Sequence, residues 1–130
     1  MKKLLATILS LLLLLSCSGC SHTKTFDVSS AKTMTLQSGN SGILITIADG
    51  SAMESISQNI GSVQWKRAGK SSDSTGWGYR LCWFDEYGSC IEDIVVSGSG
   101  QIQWNGYFYT AKGAAINTSL LDELLYQYSV

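Results

Sequence analysis

The stretch from residue 77 to residue 110, WGYRLCWFDEYGSCIEDIVVSGSGQIQWNGYFYT, decides the fold. Runs rich in β-branched and aromatic residues alternate here with short turn signals, a pattern typical of strands joined by tight turns. Asn105-Gly106 is the strongest two-residue hairpin signal in the chain, and Gly88 can take positive φ where the turn at Asp85–Gly88 ends. The four predicted strands cover residues 77–84, 91–96, 101–104 and 107–110. Consecutive hairpins of this kind predict an antiparallel meander.

The segment before this stretch predicts a further hairpin and a helix. Residues 33–37 and 43–47 alternate apolar and polar side chains around a Ser-Gly turn, as half-buried strands do. The predicted helix begins at Ser51, which forms a capping box with Glu54, and it ends at Gly61 as a C-cap glycine. Its apolar face is formed by Met53, Ile56 and Ile60.

A short strand at Val63–Lys66 and a polar loop at residues 68–76 complete the middle of the chain. A last helix is predicted to begin near Asn117–Ser119, with an apolar stripe of Leu120, Leu121, Leu124 and Leu125. The order β-β-α-β-β-β-β-β-α predicts an α+β domain, in which two helices pack on a mostly antiparallel sheet of about six or seven strands.

Composition supports a folded domain and argues against a nucleic-acid partner. The chain has 4 Trp, 6 Tyr and 3 Phe, which is enough large apolar surface for a core. The formal net charge is -1, and only Lys66, Arg67 and Lys70 cluster, which is typical of a solvated strand end. A nucleic-acid interface requires a wider basic footprint.

The N-terminus has the pattern of an export signal. Lys2 and Lys3 precede the apolar run Leu4–Leu15, which has the length of a signal-peptide core and is too short to span a bilayer. The residues Cys17-Ser18-Gly19-Cys20 then resemble the lipobox of bacterial lipoproteins, whose cysteine receives a diacylglyceryl group and becomes the new N-terminus. Cys17 stands where the family usually has Leu, and Leu14-Leu15-Ser16-Cys17 is a weaker competing lipidation site. Ordinary secretion with cleavage after Gly19 is a second alternative.

The lipobox resemblance implies a domain organisation and a subcellular location. Residues 1–19 would be the signal peptide, residues 20–31 a lipidated polar tether, and residues 32–130 a single domain. Two or three acyl chains on Cys20 would hold the domain at the extracytoplasmic face of the cell membrane. The only histidine, His22, lies in the tether. The domain therefore lacks a histidine base, and we expect no metal and no cofactor.

Two groups of residues could carry chemistry. Asp85 with Glu92 or Asp93 could supply the acid and the base of a small glycan hydrolase, although acidic residues at a turn are usually solvated. Cys82 and Cys90 flank a predicted three-residue loop that places Phe84 opposite Cys90 and Cys82 opposite Glu92. This diagonal placement leaves open both a disulfide and two separately packed cysteines.

The aromatic residues suggest a binding surface. On alternating strands some of them must face outward, where they could stack on sugar rings or contact a protein. The candidate surface, with plain sheet packing as the alternative, consists of Trp77, Trp104, Asn105, Tyr107 and Tyr109.

Four segments of the domain resemble small lipoproteins of unknown function from Gram-positive anaerobes. They are the strand at Ile43–Asp49, the strand at Gly78-Tyr79, the turn at Asp85–Gly88 and the hairpin at Asn105–Tyr107. The resemblance covers most of residues 33–125 and implies no catalytic residue. The sequence favours a non-enzymatic binding or interaction module whose partner is an envelope protein or a glycan. The alternatives are a glycan hydrolase and an inhibitor that fills the cleft of an envelope enzyme with its Asn105-Gly106 hairpin.

Overall fold

The computed structural model describes residues 26–70 and 76–129. Several predicted features lie outside these residues. They are the signal peptide, Cys20, His22, most of the loop at 68–76 and Val130. The elements in chain order are β1 (Thr33–Ser38), β2 (Leu44–Ile47), α1 (Gly50–Gly61), β3 (Trp65–Lys70), β4 (Tyr79–Phe84), β5 (Cys90–Gly98), β6 (Gln101–Trp104), β7 (Tyr107–Ala111) and α2 (Thr118–Ser129).

The seven strands form one antiparallel sheet in the order β2-β1-β4-β5-β6-β7-β3. The predicted meander is confirmed as β4 to β7, and Asn105 and Gly106 both have the positive φ of their hairpin turn (51° and 78°). With two helices against this sheet, the predicted α+β class is confirmed. The short edge strand β2 and the later strand β3 form the two edges of the sheet.

Both helices pack on one face of the sheet, which we call the inner face. Met53, Ile56 and Ile60 of α1 are buried, as their spacing predicts. In α2, Leu121, Leu124 and Leu125 are buried and Leu120 is partly buried. The side chains that they meet on the central strands include Met34, Leu36, Leu81, Trp83, Ile94, Val96 and Ile102. One continuous core therefore joins the helices to the sheet.

The ends of α1 differ from the prediction. The N-cap is Asp49, whose side chain accepts a hydrogen bond from the Ser51 backbone N–H at 3.2 Å, so the helix begins before Ser51 and the predicted capping box is wrong. Glu54 instead accepts from the Gln58 side chain. Gly61 belongs to the last turn, and the C-cap is Ser62 in right-handed helical conformation. Asp49 thus caps the N–H of Ser51, whereas the predicted serine cap would have bound the N–H of Glu54.

Strand β3 is longer and later than predicted. Val63 is buried but precedes the strand, whereas residues 68–70, predicted as loop, pair with β7 through Gly69↔Phe108 and Lys70↔Tyr107. The register shifts between Arg67 and Gly69, which indicates a bulge, and the strand continues beyond it to Lys70. Pairing with β7 thus extends a strand whose own sequence has few residues that pack.

Residues 26–31, the end of the predicted tether, pack on the domain. The Phe26 ring meets the rings of Trp83 and Trp104 edge to face, at centroid distances of 5.3 and 6.3 Å. Val28 and Ala31 are also partly buried against the core. The chain is therefore fixed to the domain from Phe26 onward. Within the residues that the structure describes, neither helix is long and apolar enough to cross a membrane.

Candidate functional site

A cleft lies where strands β5 and β6 separate. The β5–β6 ladder begins at Val95↔Gln103, while the first half of β5 pairs only with β4 on its other side. The cleft is open to solvent and has a volume of about 420 Å³, within the range of small-molecule sites. It is lined by Cys90, Ile91, Glu92, Asp93, Val95, Gln103, Trp104, Asn105 and Gly106.

Glu92 and Trp104 meet on the inner-face side of the cleft. Glu92 is only 4% exposed, and the Trp104 indole Nε1–H donates to its Oε2 at 2.6 Å. The Trp104 ring also packs against Phe26 and, at 5.5 Å between centroids, against Tyr109. A charge-assisted hydrogen bond of this kind compensates part of the cost of burying a carboxylate.

Asp93 lies on the opposite face of β5, because successive side chains of a strand alternate. The Arg80 guanidinium donates to its carboxylate at 2.8 Å through Nη2 and at 3.3 Å through Nε, and Cys82 Sγ lies 3.5 Å from the same carboxylate. Burial, and then the negative charge of Asp93, raise the pKa of the Cys82 thiol to about 11. The hydrogen bonds and the charge of Asp93 raise the pKa of Arg80. Cys82 is therefore a poor nucleophile at neutral pH.

The predicted pairing across the β4–β5 turn is confirmed at Phe84↔Cys90 and wrong at Cys82, which lies opposite Asp93. The cause is a bulge, since Trp83 pairs with Glu92 and Ile91 is left without a pairing partner between them. Both cysteines are free thiols, Cys82 partly buried and Cys90 exposed. Their disulfide stays a prediction for an oxidising compartment.

The predicted aromatic surface is divided. Trp104 and Asn105 line the cleft, whereas Tyr109 packs behind Trp104, and the Arg67 guanidinium lies 4.0 Å above the Tyr107 ring. Trp77 precedes β4 at the other end of the sheet, beside Gly39. All four aromatics are partly buried, so they do not form an exposed row.

The three candidate hydrolase carboxylates are also separated. Asp85 accepts hydrogen bonds from the backbone N–H groups of Tyr87 (2.9 Å) and Ser89 (3.0 Å) within its own turn, and it does not line the cleft. Glu92 and Asp93 line it from opposite faces of one strand. No group of three His, Cys, Asp or Glu side chains that could hold a metal ion occurs within residues 26–70 and 76–129.

The contact between Glu92 and Trp104 was missed from the sequence, although a signal was present. Glu92 has the same parity as Ile94 and Val96, so alternation along β5 places its carboxylate on the inner face. A carboxylate at a core position requires a donor, and a nearby Trp N–H is suited to that role.

No family model, no curated protein and no solved structure matches this chain.

Proposed function

We propose that this chain is a lipid-anchored extracytoplasmic lipoprotein whose domain is a non-enzymatic binding module, with the cleft beside Trp104 as its binding site. The lipobox-like residues Cys17–Cys20 support the anchor. The geometry of the cleft supports the binding role, because it combines a concave surface with several polar side chains and an aromatic ring.

The observation that carries the proposal is how the cleft carboxylates are bound. The Trp104 indole holds Glu92, and the Arg80 guanidinium holds Asp93, on opposite faces of one strand. A hydrolase requires two carboxyl groups that face one reacting bond, one of them able to give up a proton. Two carboxylates fixed by separate donors suit recognition better than proton transfer.

The anchor is tested by replacing the proposed lipidated cysteine. In bacteria fed an alkyne analogue of palmitate, the wild-type chain and the Cys17→Ser variant should carry the label and sediment with membranes. Cys20→Ser should lose the label completely and leave the membrane fraction, because Ser18-Gly19-Cys20 resembles the lipobox more closely than Leu15-Ser16-Cys17 does. Label retained by Cys20→Ser and lost from Cys17→Ser would move the anchor to Cys17.

The binding role is tested with a matched pair of substitutions on one strand. Gln103 lines the cleft, whereas Gln101 lies two residues earlier on the same face of β6 and outside the cleft. The full-length protein in neutral detergent is immobilised and exposed to solubilised envelope from its source. We expect Gln103→Arg to reduce capture of a specific partner at least about tenfold, since a buried clash or unpaired charge at an interface costs more than about 1.4 kcal/mol.

Gln101→Arg should bind as the wild type does. Equal capture by all three proteins would place the interaction outside the cleft. No capture at all, together with turnover of envelope glycan that is lost in Asp93→Asn, would support the hydrolase instead.

A glycan is the second candidate partner. The cleft carries the polar side chains of Asp93 and Gln103 on the face of the sheet opposite the helices, with Asn105 at the hairpin tip, and such groups hydrogen-bond sugar hydroxyls. Retention of envelope glycan that Gln103→Arg abolishes would favour it. The inhibitor hypothesis has less support, because Trp104 turns inward and leaves only Asn105 and Gly106 exposed at the hairpin tip.

A further inference from the structure

The edge strand β3 carries a cluster of basic side chains that the fold enlarges. Lys66, Arg67 and Lys70 lie on β3 and are exposed. Pairing with β7 adds Lys112, which follows that strand, is exposed, and donates its backbone N–H to the residue just before β3 at 2.8 Å. We call these four residues the basic edge. They are four of the six basic residues that the structure describes, so the positive charge of the domain is concentrated on one side.

The charge of the basic edge is not neutralised within the domain. Neither β3 nor β7 carries an acidic residue. None of the four side chains forms an ion pair with a carboxylate of residues 26–70 and 76–129, whereas Arg80 in the centre of the sheet is paired with Asp93. The Arg67 guanidinium lies over the Tyr107 ring, a contact that leaves its charge in place. Four unpaired cations along one exposed edge attract an anionic partner.

The tether enters the domain beside this edge. Phe26 lines a small apolar pocket together with Trp65, the first residue of β3. Six chain links separate Phe26 from Cys20, and they span at most about 20 Å. Residues 20–31 carry one lysine and one aspartate, so the charges of their side chains cancel. A lipid on Cys20 would therefore hold a bilayer surface within reach of the basic edge.

We propose that the basic edge binds the anionic phospholipid headgroups of the membrane that carries the Cys20 anchor. The inference rests on the proposed anchor, because a lipid on Cys20 is what keeps the edge close to the headgroups. Basic side chains attract an anionic bilayer within roughly one screening length, about 8 Å at physiological salt. A lipid chain and a basic patch together make stable membrane attachment. The domain would then lie with β3 towards the bilayer and β2, the opposite edge of the sheet, away from it.

The test follows the backbone amide signals of the ¹⁵N-labelled full-length protein in phosphocholine-detergent micelles. Phosphatidylglycerol or, at the same content, phosphatidylcholine is added to the micelles. We expect phosphatidylglycerol to move the signals of residues 66–70 and 112 and to leave those of β1 and β2 in place, whereas phosphatidylcholine should move none of them. At about 1 M salt the screening length is about 3 Å, so the shifts should disappear.

Lys70→Gln and Lys32→Gln are a matched pair, since both lysines are exposed and only Lys70 belongs to the basic edge. Lys70→Gln should raise the phosphatidylglycerol content that gives half of the shift about fivefold, which corresponds to about 1 kcal/mol per basic residue near an anionic surface. Lys32→Gln should leave this content unchanged.

The proposal is overturned if phosphatidylglycerol leaves the β3 signals in place, or if Lys70→Gln and Lys32→Gln weaken the shift equally. In either case the palmitate labelling of Cys20 still decides the anchor by itself. Glycerol phosphate that moves the same signals at the same concentration would also overturn it, because the edge would then bind the phosphate group and not a bilayer surface. Shifts of β3 without any label on Cys20 would overturn the anchor and support the affinity of the basic edge for anionic lipid.

Discussion

Replacing Trp83 by Ala is expected to lower the free energy of unfolding by about 3–5 kcal/mol, as measured by urea denaturation. Trp83 is the largest fully buried side chain, and it lies on β4, between β1 and β5 in the centre of the sheet. Its removal would leave a cavity bounded by sheet and helix, and it would also remove the edge-to-face contact with Phe26. The whole free energy of unfolding of a domain is about 5–15 kcal/mol, so the variant would be close to unfolding.

Tyr87→Ala is the matched control, because this aromatic is 85% exposed in the turn between β4 and β5. Its loss should change the free energy of unfolding by less than about 0.5 kcal/mol. If both variants unfolded at the same urea concentration, Trp83 could not be packed in the core as the structure has it.

Gly39→Ala is expected to destabilise the domain by about 3 kcal/mol, through a clash that no side-chain movement can relieve. A Cβ at this position would lie 3.0 Å from the carbonyl carbon of Trp77 and nearer still to its oxygen. The Gly39 N–H also donates to the Gly78 carbonyl at 2.7 Å, which holds the two backbones together. Relief would require the backbone at the start of β4 to move away from the end of β1.

Gly50→Ala is the control for the same chemical change. A Cβ on Gly50 meets nothing within 4 Å, and Gly50 is the first residue of α1. Alanine there should leave the stability unchanged or raise it by about 0.5 kcal/mol, because it restricts the unfolded chain and favours the helix. Thermal unfolding of the two variants side by side would show opposite shifts, and a Gly39→Ala variant as stable as the wild type would contradict the close approach at Trp77.

Most of the fold could be predicted from local sequence patterns. The Asn105-Gly106 turn, the alternation of β1 and β2, and the leucine spacing of α2 each act within a few residues, so the sequence displays them directly. The features that were mispredicted depend on partners distant in the chain. Residues 68–70 form a strand because β7 is beside them, and the Cys82 register shifts because a bulge places Glu92 opposite Trp83.

The candidate site was predictable in part for the same reason. The hairpin that places Trp104 and Asn105 in the cleft is local, and its turn signal locates it. The position of Trp77 at the other end of the sheet follows from the strand order, which no local pattern contains. The role of Glu92 depends on an indole twelve residues away, on the neighbouring strand β6.

The two edges of the sheet differ in how they would meet another copy of the chain. β3 presents Lys66, Arg67 and Lys70 and is interrupted by a bulge, both of which discourage further strands from pairing. β2 carries no charged residue, Leu44 is 59% exposed, and the adjoining Ile43 is 42% exposed. Any self-association or aggregation of the folded protein should therefore start at β2. A lysine at Leu44 or Thr46 is the change that would most improve its solubility at high concentration.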